Sequence, residues 1–352
     1  MTPLERAIRE RIQAEGAISV EAFMEACNTY YYATRDPLGR DGDFTTAPEV
    51  SQMFGELVGA ALADCWKRAG APGDAIYAEL GPGRGTLAAD ALRVLRTAGF
   101  AGEVHLVETS PVLRDAQAKA VPDATWHDSV EDLPARPLLL VANEFFDALP
   151  INQAVKQTDG WHTRCVGLNA EGQFEYTTAP EPMPQFERTL PEAVRQARDG
   201  EIFEWRSDIE PMELGRRLAR EPGAALVIDY GHGESGTGET LQAVHKHLFA
   251  DPLTRPGEAD LTAHVDFEAM ARPVESMGAV AHGPVDQAVF LNRLGIRTRA
   301  ETLKANLDRA KAHEIDQALA RLTGIGRTGM GTLFKAMAFT HRSLPLPPGF
   351  EH

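Results

Sequence analysis

A short apolar run that breaks into glycines constrains this chain more than any other feature. Ala75 to Leu80 is strand-like, Gly81-Pro82-Gly83-Arg84-Gly85 follows at once, and Leu87, Ala91, Leu92 and Leu95 then mark a helical face. A turn from strand to helix places backbone amides at a helix N-terminus, and in α/β sheets ligands bind in the crevice outside the strand ends. Glycine suits such a turn because a side chain would block the ligand or forbid the backbone angles needed.

The same alternation continues along the chain. Val104 to Val107 is a second strand, Ala124 to His127 a third, Leu138 to Ala142 a fourth and Ala224 to Ile228 a fifth. Ser110-Pro111 reads as a helix N-cap followed by proline at the first helical position. This pattern specifies an α/β fold with a doubly wound sheet and helices on both faces. Before it, Leu4, Ile8 and Ile12 predict an N-terminal helix, and Tyr30 to Ala47 reads as a loop. Val50, Met53, Phe54, Leu57, Val58, Ala61, Leu62 and Cys65 form the stripe of a second helix, with Pro48 and Glu49 in its first turn.

Roughly eighty residues separate the fourth and fifth strands, far beyond an ordinary connection. They carry strand-like pieces (153–156, 161–166) and a helical run (209–220), which points to an inserted substrate-side subdomain over 147–222. The glycine- and histidine-rich 232–263 stretch reads as a loop or lid. Thr298 and Glu301 form a capping-box pattern ahead of Leu303, Leu307 and Ala310, and 331–339 reads as the last strand. The expected division is a helical extension with a cofactor-covering loop over 1–74, a core over 75–146 and 223–342, and a tail over 343–352.

Three acids narrow the ligand. Glu79 closes the first strand, where it can face an ammonium group. Glu108 ends the second, roughly twenty residues past the loop, where a carboxylate can accept both ribose hydroxyls. Asp128 ends the third, within reach of an adenine amino group. A dinucleotide fingerprint places its third glycine one position after Gly85, where Thr86 stands. With Gly81, Pro82, Gly83 and Gly85 as the cradle, the expected cofactor is S-adenosyl-L-methionine, with S-adenosyl-L-homocysteine as product. A nicotinamide oxidoreductase fits least.

After the fourth strand comes Asn143-Glu144-Phe145-Phe146-Asp147-Ala148-Leu149-Pro150. Phe145 and Phe146 read as core. Glu144 and Asp147, beside an apolar strand end, need water or a partner, and a cationic substrate group is one such partner. Asn143 is assigned to the cofactor. His232, after Asp229-Tyr230-Gly231, could serve as a general base, although loop histidines are commonly idle. His245, His247 and His264 fit no metal-ligand spacing, so no metal is expected.

The 352 residues carry a net charge of −16, which repels nucleic acid. No apolar run is long enough to cross a bilayer, and Cys27, Cys65 and Cys165 suggest neither a disulfide framework nor zinc, Cys65 reading as a core thiol. The N-terminus shows neither a secretory nor a transit-type segment, so elimination gives a cytoplasmic address. Nucleic acid and membrane insertion are excluded as partners, and a homodimer is left open.

Taken together, residues 42–56 (Gly42-Asp43-Phe44-Thr45-Thr46-Ala47-Pro48-Glu49-Val50-Ser51-Gln52-Met53-Phe54-Gly55-Glu56), 79–86, 104–108, 143–150, 228–231, 263–267 and 330–335 closely resemble the MidA family of class I methyltransferases. The likeness covers nearly the whole chain. It implies a Rossmann-like, seven-stranded, mostly parallel sheet with an N-terminal helical extension and an inserted substrate-side subdomain. It also implies that 42–49, with Thr45 and Thr46, closes over the cofactor. Mitochondrial members methylate an arginine of a complex I subunit, which implies a protein substrate bearing arginine. The chain departs from the family before Tyr30, where Cys27-Asn28-Thr29 leads straight into three tyrosines; that bears on the substrate entrance.

Arginine stays protonated to a pKa above roughly 12, so a site that methylates it must bind the cation and localise its charge. Carboxylates do both, and Glu144 and Asp147 are the catalytic candidates, with Glu49 a third. Two rivals remain: a small-molecule O- or N-methyltransferase with His232 as base, and an assembly or binding factor that retains the cofactor fold without turnover.

Overall fold

Strand Ile76–Leu80 (β1) is buried at every residue, as a strand covered by helices on both faces must be. Val104–Val107 (β2) and Ala124–His127 (β3) lie on one side of it, and Leu138–Asn143 (β4) on the other, all parallel. Gly223–His232 (β5) extends the parallel set from β4. The sheet then reverses. Phe334–Thr340 (β7) runs antiparallel to β5, and Val280–Asp286 (β6) antiparallel to β7, which gives the order β3-β2-β1-β4-β5-β7-β6. The last strand thus lies inside the sheet, between β5 and β6. The computed structural model describes residues 1–34, 46–245, 248–326 and 329–351.

Helices cover this sheet where the apolar stripes predict them. Met53, Phe54, Leu57, Val58, Ala61 and Leu62 of helix Gln52–Arg68 are buried, and Cys65 packs with Ala224 and Leu344. That helix does not start at Pro48. Ala47–Val50 is a separate turn, because Ser51 is extended (φ −167°, ψ 140°) and its hydroxyl accepts from Met53 N at 3.2 Å to cap a new helix. Gly55 and Gly59 face the next helix, Thr86–Thr97, so closely that a Cβ on Gly59 would lie 2.6 Å from Ala91 Cα. Ser110 caps helix Pro111–Ala120 as expected, accepting from Leu113 N at 3.3 Å.

Three local expectations fail for identifiable reasons. Thr298 and Glu301 lie inside helix Ile296–Lys304, which starts after left-handed Gly295, so they form no capping box there. Leu307 and Ala310 do not share that helix; Asp308 caps a new one, Arg309–Thr323. The final strand begins at Phe334 rather than 331, since Gly331 sits tight against the Thr323 carbonyl.

Contacts divide the chain into two compact units. The sheet belongs to the one formed by Thr45–Phe146, Asp208–Gly233 and Met270–His352. The other is formed by Met1–Phe44, Asp147–Ser207 and Glu234–Ala269. In it, helix Pro3–Glu15 buries Ile8 and Ile12, and helix Val20–Thr34 continues through Tyr30–Thr34, which the sequence reading treats as loop. The tyrosines are apolar enough to prolong the buried stripe: Tyr31 is fully buried, edge-on to Tyr32. Strands Ile151–Gln157, Gly160–Leu168, Phe174–Thr178 and Ile202–Arg206 form an antiparallel sheet, joined at its edge by Ile18–Ser19. The stretch read as a loop or lid instead holds three strands, Gln242–His245, Leu248–Ala250 and Asp260–Thr262. Glu204 ties it down, accepting from Gln153 Nε2 and from the Thr240 amide and hydroxyl.

Candidate active site

The glycine loop leaves β1 through three left-handed positions, Gly81 (φ 58°), Gly83 (φ 55°) and Gly85 (φ 83°). Any other residue would be strained there. Space is also tight at Gly81 and Gly85: a Cβ would come within 2.9 Å of the Phe145 ring at the first and 3.2 Å of Ala120 Cβ at the second. Pro82 is buried. The Gly81 amide donates to Val107 O at 3.0 Å, and Gly85 opens helix Thr86–Thr97.

Glu79 is buried, and its carboxylate accepts from Tyr77 Oη at 2.7 Å. Burial pushes its pKa up to about 8, against a smaller lowering by the tyrosine hydroxyl. A nearby cation would favour the ionised form. Glu108 is buried at the end of β2, and burial raises its pKa above the usual carboxylate range. Its Oε1 accepts from Ser110 N at 2.8 Å and its Oε2 from Gln117 Nε2 at 3.1 Å. Two buried acids flanking a loop of left-handed glycines fit a cofactor that brings both an ammonium group and a ribose. Asp128 stands apart from them: it is exposed and paired with Arg114 Nη2 at 2.7 Å.

At the end of β4, Glu144 takes a left-handed backbone (φ 52°), uncommon for a residue with a side chain. Its amide donates to Ile228 O at 2.9 Å, which fixes the turn onto β5. Its Oε1 accepts from Ala47 N at 3.0 Å and from Asn143 Nδ2 at 3.1 Å. Asn143 is buried, and its Oδ1 has no hydrogen-bond partner. Since an amide must turn its nitrogen to a carboxylate, that oxygen is an open acceptor. Phe146 is core, with Phe145 edge-on at 5.2 Å and in contact range of Gly81.

Glu49 lies in the turn Ala47–Val50, and its Oε1 accepts from Thr86 Oγ1 at 2.6 Å, so the turn is bound to the helix that follows the glycine loop. Thr46 precedes that turn, its carbonyl accepting from Glu49 N and Val50 N. Thr45 and residues 42–44 lie outside the described residues, as does His247.

Asp147 falls in the other unit. It is buried there, and its carbonyl accepts from Ala263 N at 3.0 Å and Arg206 Nη2 at 3.2 Å. Arg206 also donates to the carbonyls of Leu149, Ala263 and His264, so one guanidinium gathers the 147–149 and 263–264 segments. His232 is half-buried at the end of β5. Among the described residues no three His, Cys, Asp or Glu side chains are grouped to hold a metal.

Two residues of this region carry more than the sequence reading assigns them. Asp229, named there only as a strand end, is fully buried, and its Oδ2 accepts from Phe146 N at 3.0 Å, which anchors the turn after β4. Gln117, not singled out at all, joins Glu108 to the glycine loop. Its signal was present: it stands one turn beyond Leu113 on the buried face of its helix, a polar residue where an apolar one is expected.

An eight-stranded sheet whose ordered path of seven strands has one reversed, a glycine loop after β1 and acids closing β1 and β2 together define a class I S-adenosylmethionine-dependent methyltransferase. A family model described as an S-adenosyl-L-methionine-dependent methyltransferase matches residues 57–285. The chain is 35% identical to the "Protein arginine methyltransferase NDUFAF7 homolog, mitochondrial" of Drosophila melanogaster, over 95% of this chain and 84% of that one. It is 34% identical to the Homo sapiens "Protein arginine methyltransferase NDUFAF7, mitochondrial", over 91% of this chain and 78% of that one. Among solved structures, a protein of Burkholderia thailandensis described as a "likely methyl transferase", bound to S-adenosyl-homocysteine, superposes with a TM-score of 0.85. It is 28% identical, with 98% of this chain and 93% of that one covered. The chain belongs to this MidA-like family of methyltransferases, and its cofactor is S-adenosylmethionine.

The comparisons correct one expectation. The relatives are named as mitochondrial proteins, so the cytoplasmic address does not stand: it came from elimination of N-terminal signals, which specifies no compartment. Among the described residues no helix is long and apolar enough to cross a membrane.

Proposed function

We propose that this chain transfers a methyl group to an arginine nitrogen of a protein substrate resembling a complex I subunit. The observation that carries this reading is the acceptor cluster at the end of β4. There the Glu144 carboxylate is held on a left-handed backbone, next to the buried, unpartnered Oδ1 of Asn143. A guanidinium has five N–H donors and no acceptor, so it matches a site of excess acceptors. The names of the relatives support the same acceptor chemistry.

The cofactor supplies a methyl group already activated on a sulfonium, and the chain's part is to align, desolvate and localise charge. Gly81, Gly83 and Gly85 let the cofactor approach the backbone. Glu79 would hold its ammonium and Glu108 its ribose, with Asn143 and Thr46 as further candidate contacts and Asp128 as the candidate for the adenine. Glu144 draws the guanidinium charge toward the nitrogens it binds and leaves the attacking nitrogen richer in electron density. Asp147 is the second candidate acid. Glu49, through Thr86, fixes the turn beside the glycine loop.

The test is incubation with methyl-labelled cofactor and a cell lysate, followed by hydrolysis of the labelled protein. Methylarginine in a protein band is the expected product. Label in small solutes alone, or on another amino acid, overturns the reading. Glu144→Gln should lower turnover by about 10²–10³ while S-adenosylhomocysteine still binds; full transfer by that variant removes Glu144 from the mechanism. Asp147→Asn is the companion measurement.

A further inference from the structure

Gln117 is fully buried in helix Pro111–Ala120, and every polar atom of its amide is engaged. Its Nε2 donates to Gly83 O at 2.7 Å and to Glu108 Oε2 at 3.1 Å, while its Oε1 accepts from Trp126 Nε1 at 2.8 Å. The orientation follows from chemistry. An indole N–H can only donate, and a carbonyl and a carboxylate can only accept, so the amide cannot be flipped without losing all three bonds. One side chain therefore ties together the glycine loop, the acid that ends β2 and the partly buried tryptophan of β3.

We propose that Gln117 is a positioning residue for the cofactor's ribose, acting through Glu108. A carboxylate on a flexible stem samples several rotamers, and a cis-diol needs both oxygens in one plane at one height. Ser110 N fixes one oxygen of Glu108 and Gln117 fixes the other, with the Thr109 amide a further donor to the carboxylate; of its roughly four acceptor positions, capacity is left for the ribose. The bond to Gly83 O sets the height of the loop relative to that carboxylate. The helix is close enough to hold this geometry, since a Cβ on Gly85 would lie 3.5 Å from Gln117 Cα. The inference rests on the assignment of Glu108 to the ribose, and the experiment separates the two.

Binding of S-adenosylhomocysteine and of its 2′-deoxy analogue is measured by calorimetry for the parent, Gln117→Met and Glu108→Gln. Methionine fills nearly the same volume without hydrogen bonds. Gln117→Met should weaken S-adenosylhomocysteine about tenfold and the deoxy analogue much less, because part of what the carboxylate holds is already missing. The double variant should lose little beyond Glu108→Gln alone. Equal weakening of both ligands by Gln117→Met, or none of either, overturns the proposal. If instead Glu108→Gln does not discriminate between the ligands, the assignment of Glu108 to the ribose fails first. Should Gln117→Met not fold, Gln117→Glu gives the same answer. It can donate to Glu108 only when protonated, so its affinity should improve relative to the parent as pH falls, and a profile parallel to the parent's overturns the proposal.

Discussion

At the scale of single residues, Glu79 makes the sharpest commitment. Its folded pKa of about 8 lies above the ordinary 4.5, so the ligand-free fold favours the neutral form. Between these values the unfolded chain has released a proton that the fold retains, and stability falls as pH rises through that window. If Glu79 holds the cofactor ammonium as proposed, that cation would reverse the preference and expel the proton. S-adenosylhomocysteine affinity should therefore strengthen by up to about tenfold per pH unit from 6 to 8, with proton release visible as a dependence of binding heat on buffer ionisation enthalpy. Glu79→Gln should abolish that dependence; a parent profile that is flat with pH refutes the assignment. The acid itself was legible from its place at a strand end. Its protonation was not, because that depends on Tyr77 and on neighbours distant in sequence that strip it of water. Gln117 and Asp229 were obscured for the same reason, since their partners lie up to 83 residues away. Asp128 differs from these: its partner Arg114 is local, and the two form an exposed ion pair at the strand end.

At the scale of elements, periodicity located the strands and the principal helices well, because each buries one continuous stripe. Boundaries went wrong where two local signals competed. Ser51 outweighed Pro48 as a helix start, and Asp308 outweighed Thr298, since in each case a side-chain cap was formed to the backbone by one residue and not by the other. What no periodicity revealed is how near two helices come. Gly55 and Gly59 are one turn apart on helix Gln52–Arg68; a Cβ on Gly55 would lie 2.7 Å from Asp90 Cβ of helix Thr86–Thr97, and one on Gly59 would meet that helix's backbone at Ala91. Gly59→Val should cost about 1–3 kcal/mol through overpacking, read as a lower midpoint in urea with an unchanged slope. An unaltered midpoint would show that the helices separate freely. Because the helix being pushed begins at the glycine loop, weaker cofactor binding should accompany the loss.

For the whole molecule, the order of segments along the chain matters as much as the elements. The chain passes between the two compact units five times, at 44/45, 146/147, 207/208, 233/234 and 269/270. The alternating pattern announced the sheet, but joining 1–44, 147–207 and 234–269 into one unit depends on contacts that sequence order hides. Calorimetry with S-adenosylhomocysteine at a hundredfold excess over its Kd should add about 2.7 kcal/mol to the stability of whatever unfolds with the glycine loop. Should two transitions appear, the one that shifts identifies the unit with the sheet, and a thermogram unmoved by saturating ligand contradicts the site described above.

The position of β7 carries a consequence for how the protein is made. Because that strand lies between β5 and β6, synthesis delivers β6 well before the strand that links it to the rest, and β5 waits with an open edge for about a hundred residues of translation. A ribosome that stalls before Phe334 leaves two unpaired edges on one nascent chain, each a template for a stray strand. Such stalled products should be held by chaperones or aggregate, whereas those released after Thr340 can close the sheet by inserting one antiparallel strand.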